Sequence, residues 1–129
     1  MDRRYSLRKN KEFRYVYNTG KSVATKNMVL IYRRRKMPDL KVGFSVSKKV
    51  GKAVTRNRVR RRLKEAFPAL LPEIDRRVLL VVVARPPVVD ADFAKICADL
   101  RYLLKRADLI ANEHKTNSKA GTALDGKIL

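Results

Sequence analysis

The sequence predicts a two-layer α+β fold, a four-stranded sheet packed with helices in the order αβββαβα. Three observations lead there. Apolar residues recur at helical spacing in three places, they alternate or run unbroken over strand lengths in four, and turn residues separate these segments. The chain has 129 residues, 45% of them hydrophobic, which is enough for one modest core, and residues 1–111 are expected to form it as one α+β domain.

Asn10 is placed to cap a first helix in which Phe13, Val16 and Tyr17 follow i, i+3, i+4 spacing, and Gly20 to end it. Three short strands follow: "SVA" at 22–24, "MVLIYR" at 28–33 and "KVGFSVS" at 41–47, the last two separated by a turn at Pro38 and Asp39. The third alternates cleanly. Val42, Phe44 and Val46 share a core face, while Gly43, Ser45 and Ser47 line a face suited to something polar that approaches closely. The loop "KKVGKA" leads into a second helix over 53–67, and "PALLPE" breaks the chain after it. "VLLVVVA" at 78–84 reads as apolar on both faces, and therefore as an internal strand. A last helix opens near Asp90, with Phe93, Ile96, Leu100, Leu103, Leu104 and Ala107 on a broad apolar stripe. Residues 112–129 keep no sustained period and are expected to be a disordered polar tail.

The formal net charge of +20 is lopsided: residues 1–67 hold 22 Lys and Arg against 4 acids, residues 68–129 hold 10 against 8. The basicity belongs to a surface. Such a field favours nucleic acid or anionic lipid as partner. A membrane span needs about 18 or more apolar residues, which the strand-length run at 78–84 does not approach. The start, "MDRRYSLRKNK", is basic but lacks the apolar centre of a signal peptide, so a cytoplasmic chain without membrane contact is expected. The single cysteine, Cys97, can form no internal disulfide, in keeping with a reducing compartment.

A dense run of charge lies in "AVTRNRVRRRLKEAF", residues 53–67, with six cations between Arg56 and Lys64. At about 100° per residue Val59, Leu63, Ala66 and Phe67 fall on one face that docks on the sheet. Arg60, Lys64, Asn57 and Arg61 point away from it, flanked by Arg56, Arg58 and Arg62. Solvated helix faces mix signs, because like charges at i, i+4 destabilise a helix by a few tenths of a kcal/mol. Here Arg56 and Arg60, Arg58 and Arg62, and Arg60 and Lys64 all repel, so a polyanion is expected along this face. Arginine outnumbers lysine five to one in the segment, and its planar fork suits phosphate pairs and stacking on bases. Phe13, Tyr17 and Tyr32 could stack unpaired bases, although each alone is more often a core residue.

Catalysis by the protein itself is disfavoured. Two-metal nucleases need several converging carboxylates, and the basic half offers only Asp2, Glu12, Asp39 and Glu65, scattered. His114 is the one histidine, no Cys/His spacing suits a metal, and "KKVGKA" has a single glycine, weak for an anion nest. A ribosomal or chaperone-like RNA binder, an autonomous nuclease and a DNA-binding protein remain as rival readings.

The stretch "KVGFSVSKKVGKAVTRNRVRRRLKEAF" at 41–67, with Arg56-Asn57-Arg58 at its centre, resembles the bacterial ribonuclease P protein component. The similarity extends to the Phe13/Tyr17 helix, to "MVLIY" and to "VLLVVVARPP", over about residues 7–107. The resemblance implies a left-handed βαβ crossover, which general topology rules disfavour. It implies a protein subunit whose partner, a catalytic RNA working with Mg²⁺, removes the 5′ leader of precursor tRNA; no cofactor is expected on the protein and no protein partner is required. It also implies site residues by matching position. Lys48, Lys49, Arg56, Asn57, Arg58, Arg61 and Lys64 would face RNA, while Phe13, Tyr17, Tyr32 and Arg60 would line a cleft for the leader between the first helix and the sheet. Tyr17 stands where the family often has a second phenylalanine, a modest change because tyrosine also stacks.

Overall fold

The structure is a computed structural model and describes residues 3–110. The tail expected at 112–129 lies outside the described residues. Three helices and four strands appear: α1 Asn10–Thr19, β1 Lys21–Ala24, β2 Met28–Arg34, β3 Lys41–Ser45, α2 Ala53–Ala66, β4 Val78–Ala84 and α3 Phe93–Arg106. The α+β class and the order of elements are as the sequence predicts, and β4 has the bounds read from its apolar run. The sheet order is β1-β2-β4-β3, with β1, β2 and β4 antiparallel in succession and β3 parallel to β4. The crossover between the parallel pair is α2.

β4 sits inside the sheet because both its faces are apolar. Leu80 and Val82 enter the larger core with Met28 and Leu30 of β2, Val42 of β3, and the apolar faces of α2 and α3. Leu79 and Val81 point the other way and pack with Val16, Leu7 and the half-buried Phe13 and Ile31. α1 therefore covers the second face of the sheet, so the layering differs from the two layers expected: the sheet is covered on both sides. The period of β4 already contained this demand, since an internal strand apolar on both faces needs cover on both.

Smaller differences have local causes. Asn10 is the first helical residue, and Lys9 occupies the cap position without a side-chain bond. Gly20 is extended at φ −83°, so it ends α1 by lacking a Cβ, which would lie 2.6 Å from the Val16 carbonyl oxygen. α3 starts later than Asp90, because Pro86–Asp90 form a 3-10 turn and Asp92 caps the helix by accepting from the Lys95 amide at 2.8 Å. Phe93, at the first position of α3, is 45% exposed and not part of the apolar stripe, whose remaining members are buried.

Gly43 shows how tightly α1 is fitted. Its open face, expected to receive a polar group, receives the ring of Phe13: a Cβ on Gly43 would lie 2.7 Å from Phe13 Cε1 and closer still to Cζ. On the opposite face Phe44 meets Phe67 edge-to-face, with ring centroids 5.7 Å apart. Gly43→Ala is expected to destabilise the protein by about 1–3 kcal/mol through this clash. In Phe13→Ala protein the same change should cost less, and chemical denaturation of the four proteins of the cycle would measure the difference; additive losses would show that Phe13 does not press on Gly43.

Candidate nucleic-acid interface

α2 divides as its periodicity predicts. Val59, Leu63, Ala66 and Phe67 are buried, while Asn57, Arg58, Arg61 and Lys64 are exposed. The flanking residues do not all point outward. Arg62 is half-buried and donates to the Ala91 carbonyl oxygen at 3.4 Å, so it fastens α2 to the turn before α3. Arg56 is also half-buried, and its Nε is enclosed without a hydrogen-bond partner. An enclosed guanidinium nitrogen lacking an acceptor is costly unless a ligand supplies one. Lys48 and Lys49 are exposed in the turn before α2, where Gly51 takes φ +155°, a conformation open to glycine.

Arg60 links the outer stripe to a groove. It lines a concavity of about 600 Å³ with Asn57, Arg61, Lys64 and Glu65, and its Nη1 donates to Asn57 Oδ1 at 3.0 Å. It also lines, with Lys64, a second concavity of about 310 Å³ whose apolar wall is Phe13, Leu7, Gly43 and Phe44. The cationic stripe thus runs without interruption to the ring of Phe13. Arg3 and Arg8 also line that groove and add charge to it. Glu65 is the only carboxylate lining either concavity.

The protein-family model described as Ribonuclease P matches residues 1–108. The chain belongs to the ribonuclease P protein family. The "Ribonuclease P protein component" of Clostridioides difficile is 44% identical over 109 residues, covering 84% of this chain and 96% of the relative. That of Thermoanaerobacter sp. strain X514 is 42% identical over 109 residues, with 84% and 94% covered. The solved structure of the Staphylococcus aureus RNase P protein superposes with a TM-score of 0.76 at 33% identity, covering 83% of this chain and 98% of that one.

In this ribonuclease P protein the residues expected in the cleft are not all brought together. Phe13 and Arg60 line the same groove, and Tyr17, 42% exposed, follows Phe13 by one turn of α1. Tyr32 does not join them. It pairs in register with Leu80 and packs against the α2/α3 core, on the face of the sheet opposite Phe13. Ile31 is the residue of β2 that packs with Phe13 and Val16 on the α1 face. "MVLIY" is apolar throughout, so nothing in it distinguishes the two faces; only the register against β4 does.

A further pair was missed. Tyr15, 43% exposed on α1, accepts from Arg33 Nε at 3.2 Å, and the Arg33 guanidinium carbon lies 5.8 Å from its ring centroid. That hydrogen bond, with the charges of Arg33 and Arg35, holds the Tyr15 hydroxyl below the usual phenol range. The signal available was weak, an aromatic off the apolar stripe of its helix.

The two faces of α2 should respond differently to truncation. Leu63→Ala is expected to cost about 2–5 kcal/mol of stability, whereas Arg58→Ala and Arg61→Ala should each shift it by less than about 0.5 kcal/mol. Urea titration followed by circular dichroism measures both; a large loss for the arginines would mean that the stripe holds the fold together.

Proposed function

We propose that the stripe of α2 binds the catalytic RNA while the groove beside Phe13 holds the 5′ leader of precursor tRNA. As a ribonuclease P protein the chain is a subunit of the ribonucleoprotein endoribonuclease of tRNA 5′ maturation, and its partner is the ribonuclease P RNA. The observation that carries the finer reading is the continuity of the two concavities through Arg60 and Lys64. Phosphates of one RNA can lie along α2 while an unpaired base of another reaches the ring of Phe13, with Arg60 between them.

The protein's own contribution is electrostatic and positional. Arg58, Arg61 and Lys64 reduce the repulsion between two polyanions, and Phe13 gives an unpaired leader a contact that mature tRNA lacks. Bond breaking belongs to the RNA. Mg²⁺ would supply charge stabilisation and an activated water there, and RNA phosphates are proposed to hold it. Among the described residues there is no group of three His, Cys, Asp or Glu side chains that could hold a metal ion. The assembly is proposed to work in the cytoplasm. No helix among the described residues is long and apolar enough to cross a membrane.

Cleavage of precursor tRNA by ribonuclease P RNA at low Mg²⁺ should be rapid with this protein, slow without it, and absent with protein alone. Failure to stimulate the RNA would defeat the reading. Assembly should weaken about 10³–10⁵-fold between roughly 50 and 200 mM salt if 6–10 phosphates are contacted, and a flat salt profile would exclude phosphate-driven assembly. Phe13→Ala should weaken holoenzyme binding of leader-bearing tRNA by roughly tenfold, the loss of about one stacked base, and leave leaderless tRNA unaffected. Arg58→Ala should instead weaken protein–RNA assembly; equal losses of Phe13→Ala for both tRNAs would remove the leader from the groove.

A further inference from the structure

The chain ahead of α1 runs along the outer edge of β3, on the side away from β4. Ser6 bridges to Val42 in parallel, the Leu7 amide donates to the Val42 carbonyl oxygen at 2.9 Å, and the Leu7 side chain is buried. The preceding 3-10 turn, Arg3–Tyr5, is closed by the Ser6 amide donating to the Arg3 carbonyl oxygen at 3.0 Å. Its side chains therefore project from a fixed backbone. Tyr5 packs half-buried against the α2/α3 core, and two guanidinium groups lie against its ring. The guanidinium carbon of Arg4 is 5.3 Å from the ring centroid, and that of Arg76, two residues before β4, is 5.7 Å from it. Arg4 is exposed and Arg76 half-buried, so the pair is open to solvent.

The Tyr5 ring, and not a counter-ion, holds Arg76. Its Nη1 is enclosed without a hydrogen-bond partner, and no carboxylate among the described residues pairs with the side chain. The acids nearest to Arg76 in sequence are turned elsewhere. Asp75 meets Arg34 at 3.6 Å and accepts from the Arg77 amide at 2.9 Å, while Glu73 takes both its bonds from Arg101. A second cation is thus brought to a ring that already carries one, and like charges this close repel. A phosphate seated between them replaces that repulsion with two attractions, and the planar arginine fork matches its oxygens. The place adjoins the interface already described. Arg3, the first residue of the same turn, lines the Phe13 groove with Arg60 and Lys64, so the cationic path from α2 continues through Arg3 to Arg4 and Arg76.

We propose that Arg4 and Arg76, oriented by the Tyr5 ring, clamp a phosphate of RNA beyond the Arg3 wall of the Phe13 groove. The clamp rests on the partner being RNA and does not require the leader to lie in that groove. Its phosphate belongs either to the catalytic RNA or to the leader, and the measurement separates the two.

The test uses the full-length protein, ribonuclease P RNA and tRNA with and without a leader. Two constants are measured over a range of salt, protein binding to the catalytic RNA and holoenzyme binding to each tRNA. Arg76→Ala should lose about tenfold in one of them, the loss of a charge-assisted hydrogen bond, and lower its salt slope by about 0.7–0.9, the share of one phosphate. Tyr5→Leu, which removes the ring but neither arginine, should lose roughly threefold or more in the same constant, and Tyr5→Phe should match the parent. Loss in assembly assigns the phosphate to the catalytic RNA; loss confined to leader-bearing tRNA assigns it to the leader. Lys26→Ala removes one exposed charge from the turn between β1 and β2, at the opposite end of the sheet, and should lose less than about threefold. The clamp is overturned if Arg76→Ala moves neither constant, if Lys26→Ala loses as much, or if a folded Tyr5→Leu protein binds like the parent. Leader binding that falls in Phe13→Ala but not in Arg76→Ala, with assembly unchanged in the latter, would leave the groove standing and remove the clamp. Thermal melts show whether Tyr5→Leu folds, and Arg76→Ala, outside the helices and strands, decides the matter if it does not.

Discussion

A strand that is apolar on both sides cannot be left half covered, and in this protein that strand is β4. Leu80 and Val82 require the layer built by α2 and α3, Leu79 and Val81 require α1, and the other three strands lie beside β4 in an order that keeps it internal. The functional surface follows from how unevenly the two layers cover it. Two helices of fourteen residues close one face, whereas the ten residues of α1 close only part of the other. Val29, Ser45 and Val83 on the α1 face remain half-buried, and Phe13 lies over Gly43 at the border of the covered region. A groove with an aromatic edge is what remains when a short helix covers a wide sheet.

The same arrangement lets α2 carry a charge pattern that an isolated helix would resist. Its like-charge pairs each cost a few tenths of a kcal/mol, while burial of Val59, Leu63 and Phe67 contributes about 1.5–3 kcal/mol apiece. Packing therefore exceeds repulsion, and the stripe is held in place by the fold itself. A preformed cationic surface loses less conformational entropy on binding than one that must be ordered. Arg56 fits this picture, because its enclosed, unpartnered Nε lacks an acceptor that a phosphate oxygen could supply.

What the sequence made legible follows from period and contrast. The docking face of α2 could be read because Val59 and Leu63 stand among arginines, and β4 because its run of seven is apolar throughout and ends at prolines. Where contrast disappears, so does legibility. Ile31 and Tyr32 are both compatible with a core, and only pairing with Val81 and Leu80 decides which of them shares a face with Phe13. Gly43 was legible as a place of close approach, but not what would approach, because Phe13 is some thirty residues away in sequence and periodicity carries no long-range information. Tyr15 was hidden for the same reason, since its partner Arg33 lies on another element.

The charge asymmetry between the halves of the chain has a structural counterpart. Among the described residues, acids of the second half are largely engaged within the fold: Glu73 pairs with Arg101 through two bonds of 3.0 and 2.9 Å, Asp75 meets Arg34, and Asp92 caps α3. Asp99, almost fully buried, accepts from Asn27 at 2.8 Å and meets Lys95 at 3.2 Å. The Arg101 hydrogen bonds hold Glu73 below the ordinary carboxylate range, so it stays ionised and bridges the turn at Leu71–Glu73 to α3. Had such acids been placed beside α2 or α1, each would have neutralised a cation of the positive surface. Of the two acids within those helices, Glu12 and Glu65, neither forms an ion pair among the described residues. Separating acids that join elements from cations that face outward lets one small domain keep a positive surface without leaving its own helices and turns unfastened.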